Sequence, residues 1–166
     1  MSDASRDITR ILTRELEGFQ RELALFPDDD TLWQTVPGVT NSAGNLALHV
    51  AGGLQHFIGA VLGGSGYKRN REAEFSRRSG TRAEVIAETK AALTIVRDVL
   101  SRLSEERLTG EFPELVMGKT LRTNLFLLHL CVHAGFHLGQ AGYLRRAVTG
   151  DSRTSGPVPL EALTAT

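Results

Sequence analysis

The sequence predicts an all-α protein built as a four-helix bundle, and three observations carry that expectation. Apolar residues recur at steps of three and four in four long segments. Most ends of those segments carry recognisable helix start or stop signals. Between them there is no convincing strand alternation and no internal repeat. With 166 residues, one domain with a core of its own is expected, needing no covalent staples.

The first helix is read from Ile8, Ile11, Leu12, Leu16, Phe19, Leu23 and Phe26, one apolar stripe that Pro27 ends. The second starts at a cap, Asn41 or Ser42, and runs to about Leu62, where Gly63-Gly64-Ser65-Gly66 makes a turn. Thr81 with Glu84 three residues on forms a capping box for the third, which continues through Val85, Ile86, Ala92, Leu93, Val96, Val99, Leu100 and Leu103. The fourth spans residues 121–148, with Gly150 as its left-handed terminator. The links over residues 27–41, 64–80 and 104–120 are long, so spacing alone leaves the helix order open. Residues 1–150 are expected to be the bundle. Residues 151–166 read as a loosely attached tail, with Leu160 and Leu163 able to dock on it.

Nineteen Lys and Arg balance nineteen Asp and Glu, which argues against electrostatic nucleic-acid binding. A single cysteine, Cys131, excludes an intrachain disulfide framework and a cysteine-rich zinc module. The N-terminal residues lack a basic-then-apolar signal pattern, so a cytoplasmic location is expected. The charges are unevenly placed. Residues 31–67 and 123–144 hold no Asp, Glu, Lys or Arg, and all five histidines lie in those stretches. Neither stretch reads as a membrane span: the first carries Asn45, His49, Gln55, His56 and several glycines, the second three histidines, Asn124 and Gln140.

On a helix, His133 and His137 project about 40° apart on one face, close enough for two imidazoles to reach one metal ion. His129 lies one turn earlier on that side, and Gln140 follows His137 by three residues. His49 on the second helix is placed to supply a third imidazole, with His56 seven residues later at nearly the same azimuth. Three protein nitrogens leave coordination positions for water or substrate, as in a catalytic site. Imidazole donors suit zinc, nickel, copper or iron without selecting among them. His56, His129 and Gln140 are candidates to orient a ligand ring or to hydrogen-bond a bound molecule. A lone histidine on an apolar helix is ordinarily a hydrogen-bonded core residue, which is the simpler reading for His56 and His129 individually. Around His133 and His137 the helix is otherwise apolar and offers no charged partner nearby in sequence, so a divalent metal is the economical occupant.

Sharper motifs fail. The zinc-protease pattern needs Glu directly after the first histidine, where Leu130 and Ala134 stand. Gly118-Lys119-Thr120 matches the end of a phosphate-binding loop, but Pro113 occupies the position of its first glycine. Inward glutamates of a di-iron site are missing from the second and fourth helices. Cys131 points away from its neighbouring histidines and reads as a small core residue. Gly52, Gly53, Gly59, Gly135, Gly139 and Gly142 accompany the histidines at a cost of about 1 kcal/mol each in a helix interior. Close helix-to-helix approach, or space for a ligand, would offset that cost, and because the glycines accompany the histidines the second and fourth helices are expected to face each other. The charged run 67–75 is most simply a solvated linker; alternatively Arg69 or Arg71 folds over the bundle end to meet an anionic substrate group.

The segments His133-Ala-Gly-Phe-His137-Leu-Gly139-Gln140 and Gly44-Asn45-Leu-Ala-Leu-His49-Val-Ala-Gly52 resemble the DinB-like (YfiT-like) metalloenzyme superfamily over about residues 5–150. Arg69-Asn70-Arg71-Glu72-Ala-Glu74-Phe75 is similar to a charged motif of one less characterised branch. The resemblance implies an up-down-down-up four-helix bundle, frequently a homodimer, with a divalent metal on His49, His133 and His137. Characterised relatives include thiol-dependent S-transferases and a maleylpyruvate isomerase, both using a low-molecular-weight thiol cofactor.

The leading expectation is therefore a metal-dependent enzyme, a thiol-dependent transferase or a related hydrolase or isomerase, acting on a small molecule. Zinc or nickel is the expected ion, and His49, His133 and His137 its ligands. The competing readings are a stress-associated, non-catalytic dimer that binds a metal or small ligand, and a structural dimer in which the histidines make core hydrogen bonds.

Overall fold

The computed structural model describes residues 2–155 and 160–164. In chain order it contains α1 (Asp3–Ala24), a 3-10 turn (Thr31–Trp33), α2 (Ala43–Leu54) passing directly into a π-helical segment (Gln55–Leu62), α3 (Arg71–Ser76), α4 (Arg82–Arg102), α5 (Glu105–Thr109), α6 (Thr123–Thr149) and a 3-10 turn at Leu160–Leu163. Among the described residues there is no extended strand. Two isolated bridges, Glu111–Arg122 and Val116–Lys119, close a hairpin whose tip is Met117 and Gly118, both at positive φ. That turn is what Gly118-Lys119-Thr120 forms.

The long helices begin and end on local chemistry. Ser2 caps α1, and its stripe Ile8, Leu12, Leu16, Phe19 and Leu23 is buried, with Phe26 just beyond the helix end. At α2 the cap is Ser42, whose side chain accepts from Asn45 N while the Asn45 side chain returns to the Ser42 backbone. Thr81 and Glu84 form the expected capping box of α4. Gly150, at φ 69°, ends α6 and donates its N–H to the Arg146 carbonyl.

Residue pairs give the sense of each packing contact. Ser5 donates to the Leu100 carbonyl while Arg82 reaches the Phe26 carbonyl, so α1 and α4 run in opposite directions. Glu15 lies against Gly135 and Glu22 against Gly142, so α1 and α6 run in the same direction. Gln55 meets Glu88 and Gly59 meets Ile95, which aligns α2 with α4. The helix α2, Ala43–Leu62 with its π-helical extension, is long and apolar enough to cross a membrane by length and composition; 61% of the window is buried inside the protein.

Three features differ from the sequence reading. The link 64–80 is not continuous linker: Asn70 caps α3, and Asn45 Nδ2 donates to the carbonyls of Glu74 and Arg77, fastening α3 onto α2. The second and fourth long helices do face each other, with His49 of α2 meeting His133 of α6, but the glycines do not line that contact. Gly52 makes room for Glu74, Gly53 for Arg69 and Gly59 for Ile95, whereas Gly135 and Gly142 make room for Glu15 and Glu22 of α1. From sequence, a helical glycine says only that something approaches, not what. Third, residues 151–155 are tied to the bundle by Arg145. This fully buried guanidinium donates to Glu22 Oε1 at 2.5 Å and to the carbonyls of Asp151 and Arg153, while Ser155 N donates to Glu22 Oε2. Leu160 is exposed and Leu163 partly buried, in a turn that touches α1.

One face of α6 has no partner among the described residues. Leu125, Leu128, Val132, Phe136 and Tyr143 are all exposed there, in a segment without charge.

Candidate metal centre

Helix α2 presents His49 toward α6, where His133 and His137 stand one turn apart. His133 Nε2 lies 3.2 Å from His49 Nε2 and 3.1 Å from His137 Nε2, and the three donor atoms all fall within 4.8 Å of one another. Tetrahedral zinc–imidazole bonds of 2.0–2.1 Å would set neighbouring nitrogens about 3.3 Å apart. The observed pairs sit close to that spacing.

The outer nitrogens decide what the inner ones carry. His49 Nδ1 is 2.9 Å from Glu74 Oε2, and His137 Nδ1 is 2.8 Å from Gln140 Oε1. A carboxylate only accepts, so His49 carries its hydrogen on Nδ1 and turns the Nε2 lone pair into the cluster. With the Gln140 carbonyl facing His137, the same tautomer follows there. Two lone pairs then converge on His133 Nε2, which can donate to only one of them while neutral. Burial first, then the neighbouring charges of His137, His49, His129 and Arg69, push the His133 imidazole down to about 4. Burial also lowers His137; the Gln140 hydrogen bond opposes this and the His49 charge adds to it. Imidazoles with lone pairs aimed at one point are a donor set for a cation, and the three residues fit a divalent metal ion.

Glu74 is the residue that sequence spacing did not single out for this role. It is 6% exposed and stands 25 positions after His49, on the short α3. Arg69 holds it bidentately, Nε to Oε1 at 2.7 Å and Nη2 to Oε2 at 2.8 Å. Nη2 also lies 3.1 Å from His49 Nδ1, but both are donors there, so the carboxylate takes both hydrogens. Burial raises the Glu74 carboxyl, yet the hydrogen bonds from His49 and Arg69 and the Arg69 charge outweigh it and hold the group below its ordinary range. A carboxylate behind a ligating histidine fixes its ring and raises its basicity. The available signals were Gly52, whose absent Cβ leaves the space for Glu74 Oε1, and the Asn70 cap of α3.

The remaining candidates fall in different places. Gln140 Oε1 lies 2.8 Å from His137 Nδ1. Arg69 is committed to Glu74 rather than standing open over the bundle end. Arg71 is exposed, with its guanidinium 5.0 Å over the Phe75 ring, and Phe75 packs 4.6 Å from His49. His56 does not reach the cluster: it lies two turns, about 10 Å, along the helix, at the start of the π-helical segment. Its Nε2 pairs with Glu114 instead, at 3.1 Å. His129 is exposed, its ring stacked 6.0 Å from Phe126 and 6.0 Å from His133, too far to hydrogen-bond a ligand ring. Cys131 is buried, and desolvation, reinforced by the Glu15 charge, pushes its thiol up to about 12, as suits a core residue.

Fold and site together define a helical protein with a three-histidine centre that can hold a metal ion. The DinB superfamily model matches residues 9–141, and the chain belongs to that superfamily. A solved structure described as a conserved protein of locus from Enterococcus faecalis is similar in fold, with a TM-score of 0.74 and 18% identity over 91% of this chain and 100% of that one. No curated protein matches the sequence.

Proposed function

We propose that this chain is a divalent-metal-dependent enzyme that activates a thiol, or in a related reaction a water, for attack on a small molecule. The observation that carries the reading is the convergence of His49, His133 and His137 Nε2, two of them braced from behind by Glu74 and Gln140. Three protein donors leave a position for an exchangeable ligand, and a bound divalent ion lowers the pKa of a thiol or water there so that the nucleophile forms near neutral pH. The chain's own residues supply the rest. Glu74 and Gln140 keep the hydrogens of His49 and His137 on the outer nitrogens. Arg69 keeps Glu74 ionised while cancelling its charge. Zinc or nickel is the expected ion, and a low-molecular-weight thiol the expected co-substrate.

The exposed stripe Leu125, Leu128, Val132 and Phe136 supports a homodimer through α6, because a charge-free helical face of large apolar groups is shaped for its own copy.

Metal analysis of tag-free protein tests the central claim. About one equivalent per chain, lost in His133→Ala, is expected; less than about a tenth of an equivalent, unchanged in that variant, refutes it. Turnover with a thiol and an electrophilic acceptor separates the enzyme from a metal-binding protein without catalysis.

A further inference from the structure

The histidine cluster is not the end of the groove between α2 and α6. A cleft of about 520 Å³ opens beside it, walled by Val36, Val39, Leu46, Leu144 and Ala147, with Gln140 in its lining. Leu46 lies three residues before His49 on α2, and Gln140 and Leu144 lie three and seven after His137 on α6. The cleft therefore continues the faces that carry the ligands, about one turn toward the start of α2 and up to nearly three turns toward the end of α6. Its outer wall is the segment that leads from the 3-10 turn Thr31–Trp33 to the Ser42 cap. No charged residue lines it. The volume falls in the range of small-molecule sites, about 300–1,000 Å³. Gln140 belongs to both places: its side chain lines the cleft while its carbonyl accepts from His137 Nδ1.

We infer that this cleft binds the apolar part of the substrate, an alkyl or aryl group of several carbons, while the polar reacting end lies at the histidines. The inference rests on the metal-site reading for the position of the reacting end, but the cleft itself is a property of the protein without metal. Its mainly apolar walls favour burial of methylenes, and Gln140, which accepts from His137 Nδ1, is the lining residue that adjoins the histidine cluster. A charged tail would meet no opposite charge in the lining, whose polar side chains, Thr40, Asn41, Gln140 and Tyr143, are all neutral.

The test uses metal-free full-length protein and a series of linear alcohols from 1-butanol to 1-octanol, followed by methyl NMR. The expected result is shifts confined to Val36, Val39, Leu46 and Leu144, with affinity rising about fourfold per methylene until the cleft is full. Ala147→Trp, which fills the cleft from an exposed position, should weaken 1-octanol binding at least tenfold with the melting temperature unchanged. Val39→Trp serves as a second variant from the opposite wall should the first fail to fold. Scattered shifts, no chain-length dependence, or parent-like binding by the Trp variants overturns the proposal. A parallel series of linear thiols on cobalt-loaded protein, read by the sulfur-to-cobalt absorption band, separates the two readings. Alcohol binding in the cleft with no band for any thiol leaves the cleft standing and removes thiol activation. A band equally strong for every thiol, with alcohols missing the cleft, does the reverse.

Discussion

Glu74→Gln is the most informative single change, because it preserves shape and alters only which atoms accept. In the parent, Oε2 receives His49 Nδ1 at 2.9 Å and Arg69 Nη2 at 2.8 Å, and Oε1 receives Arg69 Nε at 2.7 Å. A glutamine has one oxygen for these three donors. Its best orientation keeps the carbonyl on the two-donor side and turns its NH2 toward Arg69 Nε, donor against donor. One charge-assisted hydrogen bond disappears, and a guanidinium only 14% exposed at its side chain loses its counter-charge. Removing one partner of a buried pair costs about 3–5 kcal/mol, and the low end applies because Arg69 keeps some water. For a chain of this size about 3 kcal/mol corresponds to a fall in melting temperature of roughly 6–12 °C. His49 also loses the carboxylate that raises its basicity, so metal affinity should fall about 10- to 100-fold. Melting measured in chelator isolates the structural part, and a zinc competition titration isolates the second. The exposed neighbour Glu72→Gln should change neither. Parent-like zinc affinity in Glu74→Gln would refute the argument that this carboxylate tunes His49.

Other consequences follow from the packing. Gly52→Ala places a Cβ 2.3 Å from Glu74 Oε1, so it should reproduce much of the Glu74→Gln loss, whereas Gly139→Ala meets nothing within 4 Å and should stabilise α6 by about 0.5–1 kcal/mol; paired melting curves check both. Cys131, with its thiol pushed up to about 12 by burial, should resist alkylation in the native state at about pH 8 and react fully in denaturant, as mass spectrometry would show. Val132→Glu, on the most exposed aliphatic of the α6 stripe, should convert a dimer to a monomer in sedimentation analysis without lowering metal content; a monomeric parent would remove the dimer proposal.

The parts of this fold that sequence reveals are those written in local chemistry. Ser42, Thr81 and Gly150 mark helix ends by hydrogen bonds within a few residues, and His133 and His137 share a face because they are four apart. The parts it conceals depend on pairs distant in the chain. Glu74 becomes a partner of His49 only because Asn45 fastens α3 against α2, and six residues of α3 are too few for a periodic signal. Arg145 and Glu22, 123 positions apart, look like ordinary surface charges until the fold buries them together. The π-helical segment that begins beside His56 has no sequence signature of its own.

The charges around the histidines make a final, checkable argument. As metal ligands three imidazoles would contribute no charge, while Glu74 contributes one negative and Arg69 one positive, so the ligands and their immediate partners sum to zero. A divalent ion held there would keep its full double charge toward any further ligand, which favours an anion over a neutral molecule in the remaining position. A site built with a carboxylate ligand, or with Glu74 uncompensated, would attract anions less. Arg69→Met tests this directly, since it removes the positive charge, and with it the guanidinium that lies 5.7 Å over the Phe57 ring centre, while approximating the length of the aliphatic stem. The variant should bind azide on cobalt-loaded protein on the order of tenfold more weakly, read from the cobalt spectrum, while retaining the ion. Unchanged azide affinity would show that Arg69 serves only to hold Glu74 in place, and the charge balance would then carry no functional weight.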